Sequence, residues 1–270
     1  MSGDVREGEL VGKTAVVTGA GQGIGQAVAL ELASAGVRVV CVGRTAAKLA
    51  ATAGRIEELG GQATTLSADI RDPGWLAELD KVAPSVDIVV NNAVGFPPYG
   101  PLEDVPDSAI DEVLDVVVRA SLRLIAHVLP GMKQRGFGRI VNVGTVAASR
   151  GALRQVPYAT AKSALAGMTR SVALEGARYG VTCNELELGL ILTERVLDVV
   201  PEEVRASLVA NTAVARAGTV DEVAHAVRFL VSPRAGYLTG ATLPVSGGFG
   251  LGLFPGFPVS ESSKPDASSA

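Results

Sequence analysis

Thr14-Ala-Val-Val-Thr-Gly-Ala-Gly-Gln-Gly-Ile-Gly25 decides the fold. Five residues suited to a buried strand run directly into Gly19, Gly21, Gly23 and Gly25, and an amphipathic stretch reaching Ala35 follows. Glycines at a strand-to-helix junction allow a tight turn and let backbone N–H groups approach a phosphate at the helix N-terminus. A glycine cluster alone is weak evidence, but in this setting it predicts dinucleotide binding, with Gln22 and Ile24 on the same turn.

The rest of the chain repeats that alternation. Apolar runs at Val37–Val42, Ala63–Ser67, Ile88–Asn91, Ile140–Val143, Val181–Leu186 and Ala241–Val245 read as further strands. Between them, Gly25–Ala35, Ala46–Leu59, Asp107–Lys133, Tyr158–Arg178 and Val220–Val231 carry helical patterning. Strands alternating with helices, each near-continuously apolar, specify a parallel sheet covered on both faces. The expected architecture is α/β: a single-domain Rossmann fold, with a doubly wound, seven-stranded parallel sheet and helices on both faces. Residues 10–250 form that domain, residues 1–9 a flexible N-terminus, and residues 251–270 an apolar and then disordered tail. Two loops follow strand C-termini, where open α/β sheets place ligands: Val94–Pro106 and Gly189–Pro201.

Composition narrows the function. At 270 residues and 47% hydrophobic content the chain buries a sizeable core. A net charge of -4 provides no basic field for a polyanion, which argues against nucleic acid and for a small-molecule substrate. Cys41 and Cys183 fall in buried-strand runs, and neither a disulfide framework nor a metal spacing is present. The first residues hold acids and no apolar targeting core, so a reducing cytoplasm is expected. Ala235–Ser260 is uncharged and long enough to span a bilayer, but Gly247, Gly248, Gly250, Gly252, Pro255, Gly256 and Pro258 break any helix there, so no membrane span is expected.

The end of the second strand bears on the choice of nucleotide. Gly43-Arg44-Thr45 holds no acid where a ribose diol would be bound, and Arg44 offers a fork for a 2′-phosphate or simply faces solvent. That favours NADP(H) over NAD(H), mildly, because Gln22 adds no second charge. Asp69, with Ile70 beside it, either accepts a hydrogen bond from adenine or makes a turn. Asn91-Asn92-Ala93 closes the fourth strand and either binds cofactor or caps the strand end.

Tyr158-Ala-Thr-Ala-Lys162 places a phenol and an ammonium four residues apart, on one helix face, thirteen residues after the Thr145 hydroxyl. A nearby ammonium favours the ionised phenol, whose free pKa of about 10 suits neutral proton transfer poorly.

With these motifs in this order, the chain resembles the short-chain dehydrogenase/reductase family, in its 3-oxoacyl-carrier-protein-reductase-like branch, from about Leu10 to Gly248. The resemblance rests on TGAGQGIG, Asn91-Asn92-Ala93, Thr145, Tyr158 with Lys162, Asn184, Gly189 with Thr193, and Ser246-Gly-Gly248. It implies that Tyr158 is the general acid/base and that Lys162 holds the nicotinamide ribose. It further implies that Gly189, Ile191 and Thr193 line the carboxamide, and that the long helices pair subunits into a tetramer or dimer. Several positions depart from the family pattern. Thr145 replaces the usual Ser, Val117 the tetrad Asn that props a helix irregularity and its relay water, Val94 a Gly, Leu188 a Pro and Ser246 an Asp. The expected activity is hydride exchange between NADP(H) and a carbonyl or secondary alcohol of a hydrophobic substrate. The alternative is a non-redox cyclase or isomerase, or a nucleotide-binding protein on the same fold.

Overall fold

The computed structural model describes residues 9–252. The expected flexible N-terminus and apolar tail, including Phe254 and Phe257, fall almost wholly outside them. Seven parallel strands form one sheet in the order β3-β2-β1-β4-β5-β6-β7. They are β1 (Thr14–Thr18), β2 (Arg38–Gly43), β3 (Gln62–Ser67), β4 (Ile88–Asn91), β5 (Gly138–Thr145), β6 (Val181–Leu188) and β7 (Thr242–Val245). The order reverses between β1 and β4, so the C-terminal ends of these two strands open the crevice in which doubly wound sheets bind ligands.

Strand side chains alternate between two cores, as a period of two requires. Ala15, Val17, Val39 and Cys41 pack on one face against α1 (Gly23–Ser34), α2 (Ala46–Glu58) and α10 (Val220–Val231). Val16, Val40, Val42 and Cys183 pack on the other. That second face is covered by α3 (Trp75–Val82), α4 (Asp107–Leu114), α5 (Ala120–Arg135) and α7 (Val156–Gly176). The edge strands β3 and β7 are partly exposed, so cover on both faces holds for the five central strands only.

The helix expected over Asp107–Lys133 is interrupted. A π-helical turn at Asp115–Arg119 separates α4 from α5, with Val116 and Val117 buried in it. Such a turn admits one extra residue without a break in the chain's course. Valine occupies the position where the resemblance places Asn, and the irregularity is present without an amide to prop it. Four short helices form where loop was expected or no element was read: α3, α6 (Val146–Arg150), α8 (Glu194–Val199) and α9 (Glu202–Ala210). α8 is started by its own cap, the Thr193 hydroxyl accepting from Val196 N at 3.2 Å. Among the described residues no helix is long and apolar enough to cross a membrane.

Candidate active site and nucleotide cleft

The turn after β1 is built by backbone fit. Gly19 and Gly23 adopt φ of 70° and 55°, which a side chain rarely tolerates. A Cβ on Gly25 would fall 2.6 Å from Asn92 Nδ2 and 2.7 Å from the carbonyl carbon of Gly19. Asn92 ties the turn to β4 by donating from Nδ2 to Thr18 O at 2.9 Å. The Thr18 hydroxyl accepts from the N–H groups of Asn92 and Ala93 at 3.1 and 3.0 Å.

These elements wall a cavity of about 480 Å³. Gly19, Gly21, Gln22, Gly23, Ile24, Gly25, Arg44, Thr45, Asp69, Ile70, Ala93 and Thr193, all expected from the sequence, line it. Three expected residues lie behind the wall. Asn91 is buried in the sheet and donates to Asn142 Oδ1 at 2.8 Å, so the cavity-facing amide is that of Asn92. Ile191 packs in the core, and Gly189 lies against Ser246. The Asp69 carboxylate is held by Arg71 through the backbone N and guanidinium at 2.5–3.0 Å. That hydrogen bonding keeps its pKa below the ordinary carboxylate value.

The wall also holds residues outside the expected cofactor set. Lys48, one turn into α2, bonds the side chain of Gln22 and so brings a second cation to the Arg44 side of the cleft. It is recognisable in sequence only as a basic residue at the start of the helix after the second strand. Glu112 of α4 faces Arg44 at 3.8 Å and Arg71 at 4.0 Å. Val94 and Phe96 line the cavity from the loop after β4, and Arg195 of α8 closes over Phe96, its guanidinium 4.2 Å from the ring centroid. Nucleotide chemistry fits this cleft: bare N–H groups at the start of α1, no room for a Cβ at Gly25, and two cations at the far end.

Beside the cleft stand the groups expected to carry the chemistry. Thr145 ends β5 and caps α6, its hydroxyl accepting from Ala147 N at 3.3 Å. It also lies near the half-buried Tyr158 phenol; burial raises the phenol's pKa, and the Thr145 hydroxyl pulls it back. Lys162 is 4% exposed, and its ammonium donates to Val143 O at 2.6 Å. Burial lowers its pKa from 10.5 to about 8. Thr145, Tyr158 and Lys162, distant in sequence terms from the glycine turn, therefore meet as one group at the C-terminal end of β5.

Cys41 and Cys183 are buried, their thiols pushed up to about 12, and neither takes part. Among the described residues no cluster of His, Cys, Asp and Glu could hold a metal ion. His127 and His225 sit at the surface against Asp80 and Glu31.

The profile of the family described as "Enoyl-(Acyl carrier protein) reductase" matches residues 19–250. The chain belongs to the short-chain dehydrogenase/reductase family. It is 37% identical over 244 residues to the short-chain reductase protein NovJ of Streptomyces niveus, covering 87% of this chain and 92% of that protein. With the 3-oxoacyl-[acyl-carrier-protein] reductase FabG of Pseudomonas aeruginosa it shares 36% over 243 residues, 88% of this chain and 98% of the relative. A crystal structure of a 3-oxoacyl (acyl-carrier-protein) reductase from Agrobacterium tumefaciens with NADP bound superimposes with a TM-score of 0.83 at 31% identity, over 89% of this chain and 95% of that one. Within this family the chain is of the 3-oxoacyl-carrier-protein-reductase-like kind.

Proposed function

We propose that this protein is an NADP(H)-dependent oxidoreductase that interconverts a carbonyl and a secondary alcohol on a largely hydrophobic small molecule. The observation that carries the reading is the meeting of the Thr145 hydroxyl, the Tyr158 phenol and the buried Lys162 ammonium at the C-terminal end of β5. The glycine turn and Asn92 would hold the pyrophosphate side of the dinucleotide, and Arg44 with Lys48 its 2′-phosphate. When bound, a nicotinamide cofactor supplies or accepts the hydride.

The chain's own residues manage the proton and the charge. Tyr158 donates its phenolic proton to the nascent alkoxide in reduction and takes one from the alcohol in oxidation. Thr145 donates to the substrate oxygen and steadies the charge that develops there. Lys162, protonated, offsets the phenolate left behind. Val94, Phe96, Leu192 and Leu197 present apolar surface on the substrate side, which suits a hydrophobic ketone. Leu122 on α5 and Leu174 on α7 are 46% and 82% exposed, which fits helices that pair two or four copies.

Consumption of NADPH by the purified protein over a panel of apolar and acyl-type ketones tests the assignment. Turnover on any member supports it. Tight NADPH binding with no turnover across the panel would instead favour a non-redox role.

A further inference from the structure

β6 carries an acid in its interior. Glu185 is 2% exposed, on a strand whose other buried positions are Val181, Thr182, Cys183, Asn184, Leu186 and Leu188, none of them charged. A buried carboxylate costs several kcal/mol unless something nearby repays it. Its register partner on β5 is Asn142, and its carboxyl lies over Gly144, where an added Cβ would come within 3.0 Å of the Glu185 carboxyl carbon. Gly144 thus leaves the space that the carboxylate fills. On the same face of the sheet, the Lys162 ammonium donates to the carbonyl of Val143 at 2.6 Å. Ammonium and carboxylate therefore bracket the peptide joining Val143 to Gly144, directly before Thr145.

We propose that Glu185 is a positioning residue of the active site, a buried counter-ion that keeps Lys162 in its ammonium form behind Tyr158. The consequence for catalysis rests on the acid/base role of Tyr158, but the pairing itself does not. Glu185 receives one hydrogen bond, from Thr242 Oγ1 of β7 at 3.3 Å. The other groups whose charge or polarity bears on it are Lys162 and Arg170 of α7, Glu187 two residues along its own strand, and the buried thiol of Cys183. Among the described residues, the charge that reaches Lys162 is that of Glu185, and it opposes the effect of burial. Val117, 1% exposed, offers no side-chain hydrogen bond from the π turn.

The test is a direct titration of Lys162 in the full chain, using carbon-13-labelled lysine and identifying its signal by its loss in Lys162→Arg. Wild type is expected to titrate near 8. In Glu185→Gln the midpoint should fall by about one pH unit, and in Glu185→Asp it should return toward the wild-type value. Thr242→Val, which removes the donor that favours the ionised carboxylate, should move the midpoint in the same direction but less. It serves if Glu185→Gln does not fold. A wild-type midpoint in either folded variant overturns the proposal, as does an activity loss in Glu185→Gln without a change in the Lys162 titration. Because this reading needs no turnover, its failure is separate from failure of the oxidoreductase assignment, which the ketone panel decides.

Discussion

The ring of Phe96 lies against that of Tyr158, centroids 5.8 Å apart and planes 18° from parallel. The Arg195 guanidinium lies 4.2 Å from the Phe96 ring centroid, so a guanidinium, a phenyl and a phenol join the loop after β4, α8 and α7. Stacked rings at this separation attract beyond their buried area, and half of Phe96 is still exposed to whatever enters the cleft.

Phe96→Ala should therefore act on substrate affinity more than on chemistry. Losing roughly half a phenyl of apolar wall is worth about 1 kcal/mol, or about fivefold in KM for a hydrophobic ketone. The maximal rate should change less. Steady-state kinetics on the best substrate of a ketone panel check this, and an unchanged KM would remove Phe96 from the substrate wall.

Tyr158→Phe leaves the ring and its contact with Phe96 while deleting the proton donor. General acid catalysis contributes about a hundredfold or more, so kcat should fall by at least that factor. NADPH affinity, measured by fluorescence titration, should stay close to wild type. Residual activity near the wild-type level would exclude Tyr158 as the acid.

Arg44 and Lys48 should be separable by nucleotide. Arg44→Asp is expected to raise the Kd for NADPH about tenfold or more, since a charge-assisted bond to phosphate contributes about 1.5–3 kcal/mol. Lys48→Ala should do the same more weakly. Neither should weaken NADH comparably, because NADH has no 2′-phosphate, and equal losses for the two nucleotides would place both side chains away from that group.

Much of this arrangement is legible in the sequence. The strands are, because parallel strands buried on both sides leave uninterrupted runs such as Ala15-Val-Val17 and Val39-Val-Cys-Val42. The reactive trio is, because Tyr158 and Lys162 are spaced by the helix itself. The π turn is marked only by the family resemblance, since Asp115-Val-Val-Val-Arg119 contains no Gly or Pro to announce a break. Lys48 and Arg195 are not legible, because their meeting with the cleft depends on how α2 and α8 fold over it, whereas Phe96 falls in a loop expected at the ligand end. Asn91 and Asn92 are indistinguishable by type, and only the two-residue period of β4 sends the first into the sheet and the second toward the turn.

Lys162 should also leave a signature in stability against pH. Its folded pKa of about 8 lies below the value of 10.5 it has when unfolded. Between those values the unfolded chain binds the extra proton, so this group's contribution to stability rises with pH across that window. Below pH 8 both states are protonated and the full penalty applies, about 3 kcal/mol. Cys41 and Cys183 work in the opposite direction above pH 9, since burial raises their thiols to about 12. The Lys162 effect is therefore cleanest between pH 8 and 9 and is isolated by comparison with Lys162→Met. That variant should be inactive in ketone reduction, and its stability in urea relative to wild type should be greatest at pH 7, where removing the ammonium relieves about 3 kcal/mol and leaving Glu185 without its counter-ion takes part of that back. The advantage should shrink as pH rises past 8. A Lys162→Met protein less stable than wild type at pH 7 would mean that the buried ammonium is repaid in full by its surroundings.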